Sequence, residues 1–317
     1  MRKLLSILLA AALFLTLCGG ALAESEKPLI GILAPATTHG WVGGVAYYAQ
    51  KAADDMGLNY RLLTSSNAEE MSSQIEQLMS LGAAAIVVWP QFIGVEVAAE
   101  MALEKGIVIS NFDMIIDVGE QYADNMYQLT GDNYGMGVEG AKYIADKLGG
   151  EGKVVIMDVP TSGNVAADRK AGFLDTIAEV APGIEVIATV STQFTRQDGL
   201  NDMADVLTTY DQIDAVFSMD DETSIGALQA ILEANRADVK AITGGGGCQE
   251  YFNMMLDEKY ADIWVASATY SPGMIINCIE NAIRVLDGEE VDKLVVIPTT
   301  IVDKDNAVDF LDENTPY

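Results

Sequence analysis

The chain has 317 residues, half of them hydrophobic, and a formal net charge of −29 from 47 acidic against 18 basic side chains. A surface this acidic repels nucleic acid and anionic lipid, so neither is an expected partner. There is one histidine, His39, and one of the three cysteines, Cys18, falls at the end of the N-terminal apolar run; the three side chains that remain are too few for a His/Cys metal centre, and no cofactor is expected.

The N-terminus speaks to compartment. Arg2 and Lys3 precede an apolar run from Leu4 to Leu17, and Ala21-Leu22-Ala23 supplies small residues where a signal peptidase reads them. That order is a secretory signal peptide over residues 1–23, cut before Glu24. The run is short of the roughly 20 residues a membrane span needs, and no later segment is long and apolar enough to span. Cys18 offers lipid attachment as a second route, although bulky Leu17 stands where lipoprotein sites place a small residue. Either way the protein is exported, to the periplasm or the outer cell surface. The leader carries two basic and no acidic residues, so the mature chain is more acidic still. Cys248 and Cys278 remain after cleavage. Two separate buried thiols are expected of them, and one disulfide is the alternative.

After the leader, short runs rich in Val and Ile recur: Leu29 to Leu33, Tyr60 to Leu63, Ala84 to Trp89, Ile107 to Phe112, Lys153 to Met157, Ile184 to Val190, Ile213 to Phe217 and Val239 to Thr243. Continuous apolar runs bounded by turn residues suit strands buried on both faces of a parallel sheet. Between them lie stretches of helical spacing. One carries Val45, Ala49, Ala52 and Met56, another Met71, Ile75 and Leu78, a third Ala141, Ile144 and Leu148, and a fourth Ile225, Leu228 and Leu232. Gly57, Gly82, Gly106 and Gly149 follow helical stretches as stop signals. A late strand pair, Leu294 to Ile297 and Thr300 to Val302, can supply a further crossing.

The alternation is too long for one sheet, and it restarts. Thr64 to Val88 and Thr192 to Phe217 each run polar loop, helix, strand. The predicted fold class is therefore α/β, with two Rossmann-like lobes, each a parallel sheet flanked by helices. The first break falls near Gly131, with no Pro/Ser-rich linker, so short ordered joints and hinge motion are expected.

Ligands of open parallel sheets bind outside the carboxyl ends of the strands. The segments in those places hold His39 and Trp41, Asp113 and Met114, Asp158 to Asn164, Asp220 and Asp221, and the glycines 244–247. Carboxylates accept paired hydroxyl protons, and aromatic faces cover the C–H side of a sugar ring. Each residue also has a plainer use. His39 suits a helix-start surface, Trp41 suits the core, Asp113 suits a turn cap, and Asp220 or Asp221 suits the N-cap of a helix beginning near Glu222. The glycine run lacks the spacing of a dinucleotide fingerprint and the Lys-Ser/Thr end of a P-loop, so a tight backbone turn is expected there. Asp303, Asp305 and Asp309 read as a solvated loop, because Ala307 falls where a calcium loop needs a ligand. There is no Gly-x-Ser-x-Gly elbow, and nothing pairs recognisably with the one histidine.

Several segments in order resemble the periplasmic sugar-binding proteins of ribose- and galactose-binding type, the receptors of ABC importers. They are Ile30-Gly31-Ile32-Leu33 with Ala49 to Ala53, Gln74 to Met79 with Ala85 to Val88, Asp132-Asn133-Tyr134, Arg169-Lys170-Ala171-Gly172-Phe173, and Ala215 to Glu222 with Gly226-Ala227-Leu228. The resemblance runs from about Leu29 to Val291. It implies two lobes joined by a three-segment hinge, with crossovers near Gly131, Tyr270-Ser271 and Pro298. The first lobe would hold residues 24–131 plus 271–297, and the second 132–270 plus 298–317. It also implies ligand contacts at His39, Trp41, Asp113, Met114, Phe194, Asp220 and Tyr270. Three positions depart from the family: Met114 and Ala167 stand where arginines are usual, and the aspartate of a Gly-x-Asp turn is replaced within Gly244 to Gly247. With Asp113 and Asp220 kept as acceptors, a neutral polar ligand, sugar-like, is the expectation.

The expected function is therefore non-enzymatic. A solute-binding protein, expected as a monomer, captures a small molecule by venus-flytrap closure and presents it to an importer permease. A ligand sensor for a membrane receptor and an exported α/β hydrolase or dehydrogenase are the rivals. A transcriptional regulator of related fold is disfavoured by the leader and by the lack of a helix-turn-helix segment.

Overall fold

A computed structural model describes residues 27–36 and 40–317. The leader, Cys18 and His39 lie outside the described residues.

The first lobe is built on β1 (Leu29–Pro35), β2 (Asn59–Ser65), β3 (Ala85–Val88), β4 (Val108–Phe112) and β5 (Met126–Gly131). Helices α1 (Gly40–Asp55), α2 (Ala68–Ser80) and α3 (Glu96–Glu104) connect its strands. The second lobe uses β6 (Glu151–Asp158), β7 (Gly183–Ser191), β8 (Ala215–Ser218), β9 (Ala241–Gly245) and β10 (Trp264–Ala268). Its helices are α4 (Asn133–Leu148), α5 (Asn164–Val180), α6 (Arg196–Thr209), α7 (Asp221–Glu233) and α8 (Gln249–Leu256). The chain then returns to the first lobe as α9 (Ile275–Leu286) and β11 (Leu294–Ile297), and ends in the second with β12 (Ile301–Asp303).

Among the described residues these strands form two six-stranded sheets, β11-β5-β4-β3-β1-β2 and β12-β10-β9-β8-β6-β7. Every pairing is parallel except β12 against β10. Helices cover both faces of each sheet. In the first lobe α1 and α9 pack on one face and α2 and α3 on the other. In the second, α6, α7 and α8 oppose α4 and α5. The central strands β3, β4 and β8 are buried along their whole length, which is why β3 reads as an unbroken apolar run and β4 and β8 as largely apolar ones. Gly57, Gly82, Gly106 and Gly149 all take positive φ, as helix-ending glycines do.

Three details differ from the sequence reading. The late strands do not pair with each other: β11 lies on β5 and β12 on β10, in separate sheets. Strands β5 and β10 carry no Val/Ile run; MYQLTG and WVASA rely on polar or small residues, so apolar periodicity passed over them. Gly244 and Gly245 belong to β9, and only Gly246 and Gly247 form the turn, at φ 143° and 94°.

The chain passes between the sheets three times, and the passages are bonded to one another. Asp132 N donates to Ile297 O (2.9 Å), and Thr269 N to Thr300 O (2.9 Å). The Thr300 amide returns to Thr269 Oγ1 (2.9 Å). Gly131 leaves room for the Tyr270 ring, since a methyl group there would sit 2.2 Å from Tyr270 Cε2.

Candidate ligand-binding site

Both strand orders reverse direction of winding beside the first strand of their lobe, between β1 and β3 and between β6 and β8. That switch point leaves a crevice beyond the carboxyl strand ends. The two crevices meet in one cavity of about 310 Å³, at the small end of the roughly 300–1,000 Å³ usual for ligand pockets.

The first lobe supplies the aromatic wall and one carboxylate. Trp41, second residue of α1, packs edge-on to Trp89 with centroids 5.1 Å apart, and parallel to Phe112 at 6.1 Å. Its Nε1–H donates to the Tyr270 carbonyl at 2.7 Å, so the same indole holds the hinge and faces the cavity. Asp113 follows β4 at φ 65°, a left-handed conformation that few residues other than glycine, Asn and Asp adopt. Asn111 builds this turn. Its Nδ2 donates to the Met114 carbonyl (2.9 Å), and its Oδ1 accepts from Ile116 N (2.8 Å). The Asp113 carboxylate accepts from Trp89 Nε1 at 3.1 Å and from the Tyr270 hydroxyl. Burial pushes its pKa up, while the Tyr270 bond and the nearby Arg169 charge oppose the rise.

The second lobe supplies the other carboxylate and a guanidinium. Asp220 caps α7, its Oδ1 accepting from Thr223 N at 3.1 Å, and it also lines the cavity. Burial raises it to about 6. Its neighbour Asp221 is fully buried, and burial raises it to about 7. Asp221 Oδ2 accepts the Gly247 and Cys248 amides at 2.9 Å each, so the glycine turn wraps this carboxylate. Arg169 of α5 is only 5% exposed. Its Nε donates to Asn133 Oδ1 (2.9 Å) and its Nη1 to the Met219 carbonyl (2.6 Å). The guanidinium carbon lies 4.8 Å from the centroid of the Tyr270 ring. These bonds leave Nη2 without a protein partner among the described residues.

The described chain thus encloses a small cleft between two doubly covered sheets, with an acid from each lobe, one arginine and an aromatic wall. The periplasmic binding protein domain matches it over residues 30–290.

The chain belongs to the periplasmic binding protein family.

This periplasmic binding protein is 29% identical over 308 residues to the ribose import binding protein of Escherichia coli (strain K12), with 96% of this chain and 99% of that one covered. It is 28% identical over 312 residues to the xylitol-binding protein of Mycolicibacterium smegmatis, with 94% and 84% covered. Among solved structures, the periplasmic binding protein component of the arabinose ABC transporter from Shewanella sp. ANA-3, bound to alpha and beta-L-arabinofuranose, shares its fold. The TM-score is 0.80 at 22% identity, covering 89% of this chain and 93% of that one.

Six of the seven sequence-predicted positions meet at the cavity of this binding protein: Trp41, Asp113, Met114, Phe194, Asp220 and Tyr270. The seventh, His39, lies outside the described residues. The loop after β6 adds Thr161 and Ser162, and Gln91, Gln193, Thr195 and Tyr317 extend the polar lining. The sequence reading placed Arg169 in a family segment but not in the site. Its charge lies on an otherwise apolar helix face, and that was the available signal. Tyr317 had none. Cys248 and Cys278 are both free and buried.

Proposed function

We propose that this chain is the exported solute-binding protein of an ABC importer, and that it captures a neutral sugar or sugar-like compound by lobe closure. The observation that carries the reading is the pairing of Asp113 and Asp220 across a cavity of monosaccharide size, beside the Trp41–Trp89 wall. Carboxylates accept paired hydroxyl protons from a polyol, and Arg169 donates to a ring or hydroxyl oxygen. The indoles cover the C–H face. Ribose and xylitol, named for the relatives, and arabinofuranose, named for the solved structure, are hydroxylated molecules of this kind.

Closure follows from where these groups sit. A ligand touching one lobe gains half of its contacts, and a ligand bridging both gains all of them only when the lobes approach. Its differential affinity therefore favours the closed arrangement. No bond is made or broken, and the closed protein is the form a membrane permease recognises. One chain supplies the whole cleft, so capture needs no second copy and a monomer suffices.

A thermal-shift screen of residues 24–317 against pentoses, hexoses, polyols and nucleosides tests the reading. A ligand at 100 times its Kd stabilises the folded protein by about 2.7 kcal/mol, a rise of several degrees. The reading is lost if none of these compounds shifts the melting temperature.

A further inference from the structure

One wall of the cavity comes from the far end of the sequence rather than from a strand end. Beyond the 3-10 turn Ala307–Phe310, Gln249 at the start of α8 grips the chain on both sides. Its Nε2 donates to the Phe310 carbonyl (3.2 Å), and its Oε1 accepts from Asp312 N (2.7 Å). The segment then reaches the other lobe, where the Tyr48 hydroxyl of α1 donates to Thr315 Oγ1 at 2.6 Å. Tyr317 turns back between the lobes and is only 6% exposed. On one side its ring lies against the first turn of α1. Methyl groups placed on Gly40 and Gly44 would come within 2.9 Å of Tyr317 Cδ2 and 3.3 Å of Tyr317 Cβ. On the other side its hydroxyl meets the β9 turn, where a methyl group on Gly246 would lie 3.0 Å away. The ring joins the second lobe's apolar core and also lines the cavity beside Asp220 and Tyr270. None of the three hinge passages includes this segment.

We propose that Asp312–Tyr317 is a strap, a fourth connection between the lobes, and that Tyr317 is a ligand-facing wall of the cleft. An aromatic ring wedged between α1 and the Gly246 turn must leave one of them before the lobes can part, so the strap resists opening. The same ring presents an apolar face and a polar tip to whatever occupies the cavity. Its loss therefore lets a bound ligand leave sooner. The ligand half of this proposal rests on the sugar-binding reading above; the strap half stands on the unliganded protein.

Two measurements separate the halves. Small-angle scattering of unliganded residues 24–317 should give a larger radius of gyration for Tyr317→Ala than for the unsubstituted protein, with Tyr48→Phe between them. Titration with D-ribose, L-arabinose, xylitol and myo-inositol should show Tyr317→Ala binding about tenfold more weakly, through faster dissociation, with Tyr317→Phe within about threefold. Unchanged scattering overturns the strap, and unchanged affinity overturns the wall. If the unsubstituted protein binds none of the four probes, the titration uses whichever compound of the thermal-shift screen raises its melting temperature; if none does, the sugar-binding reading and the wall with it fail, while scattering still judges the strap. Should Tyr317→Ala not fold, the same pair of measurements on Tyr317→Leu decides.

Discussion

Asp220 does two jobs that pull on one carboxylate: it caps α7 through Thr223 N and it faces the cavity. Asparagine serves as an N-cap as well as aspartate, so Asp220→Asn separates the jobs. Melting of the unliganded variant should stay within a few degrees of the unsubstituted protein, while sugar affinity drops at least about tenfold. Retained affinity would mean that the ligand sits elsewhere. Burial also makes this pair of acids pH-sensitive, with Asp220 raised to about 6 and Asp221 to about 7. A carboxyl whose folded pKa lies above its unfolded value binds more protons folded than unfolded across that interval. Stability is therefore lost as pH rises from about 4 through about 7. Asp220 still faces the cavity and Asp221 does not, so Asp221 carries the larger part. The melting temperature of the unliganded protein should climb between pH 7.5 and pH 5, and Asp221→Asn should flatten the climb. Ligand affinity should move the other way, weakening below about pH 6 as Asp220 gains a proton and stops accepting. A melting curve with the same pH slope in Asp221→Asn would refute this assignment.

The site's arginine depends on how two helices cross. A methyl group on Gly172 of α5 would fall 2.1 Å from the Tyr134 carbonyl oxygen of α4, and one on Gly137 of α4 would fall 2.0 Å from the Arg169 carbonyl oxygen. The helices touch backbone to backbone, and that contact brings Arg169 alongside Asn133 and Tyr270. The second pair, α6 and α7, repeats the device: a methyl group on Gly226 would lie 2.0 Å from the Arg196 carbonyl oxygen. Two family-like segments of the sequence, Arg169 to Phe173 and Gly226 to Leu228, thus owe their glycines to helix packing. Gly172→Ala should destabilise the protein by about 1–3 kcal/mol, lowering its melting temperature by several degrees. It should also weaken sugar binding, because Arg169 moves with the displaced helix. An unchanged melting temperature would show that α5 can shift at no cost.

Across the molecule, three bonded passages and two separately cored lobes make a hinge rather than a loose tether. Each cysteine sits in a different lobe's core, Cys278 beside β4 with Ser110 Oγ–H donating to its carbonyl (2.8 Å), and Cys248 at the start of α8. Burial pushes the Cys248 thiol up to about 12 and holds Cys278 above the ordinary thiol range. A thiolate is the reactive form, so neither should react with a thiol reagent in the native protein. Both should label together once denaturant unfolds the chain. Labelling of Cys248 alone at low denaturant would mean that the second lobe opens independently of the first.

The order of strands and helices was legible along the chain because strands buried on both faces are mostly apolar. The restart of the pattern after Gly131 marked a second lobe for the same reason. Strand ends named most of the cleft, since a doubly wound sheet can bind only beyond its carboxyl edge. Strands β5 and β10 escaped notice because Gln128, Thr130, Ser267 and their alanine neighbours carry no apolar run. Which sheet each late strand joins, how Arg169 turns into the cleft and how Tyr317 comes to line it depended on packing. These placements join residues from 33 positions apart, as Ala268 and Ile301 are, to more than 160, as Gln128 and Leu294 are. Local periodicity reports how a side chain is buried within its own element, and it says nothing of which distant backbone comes to lie against it.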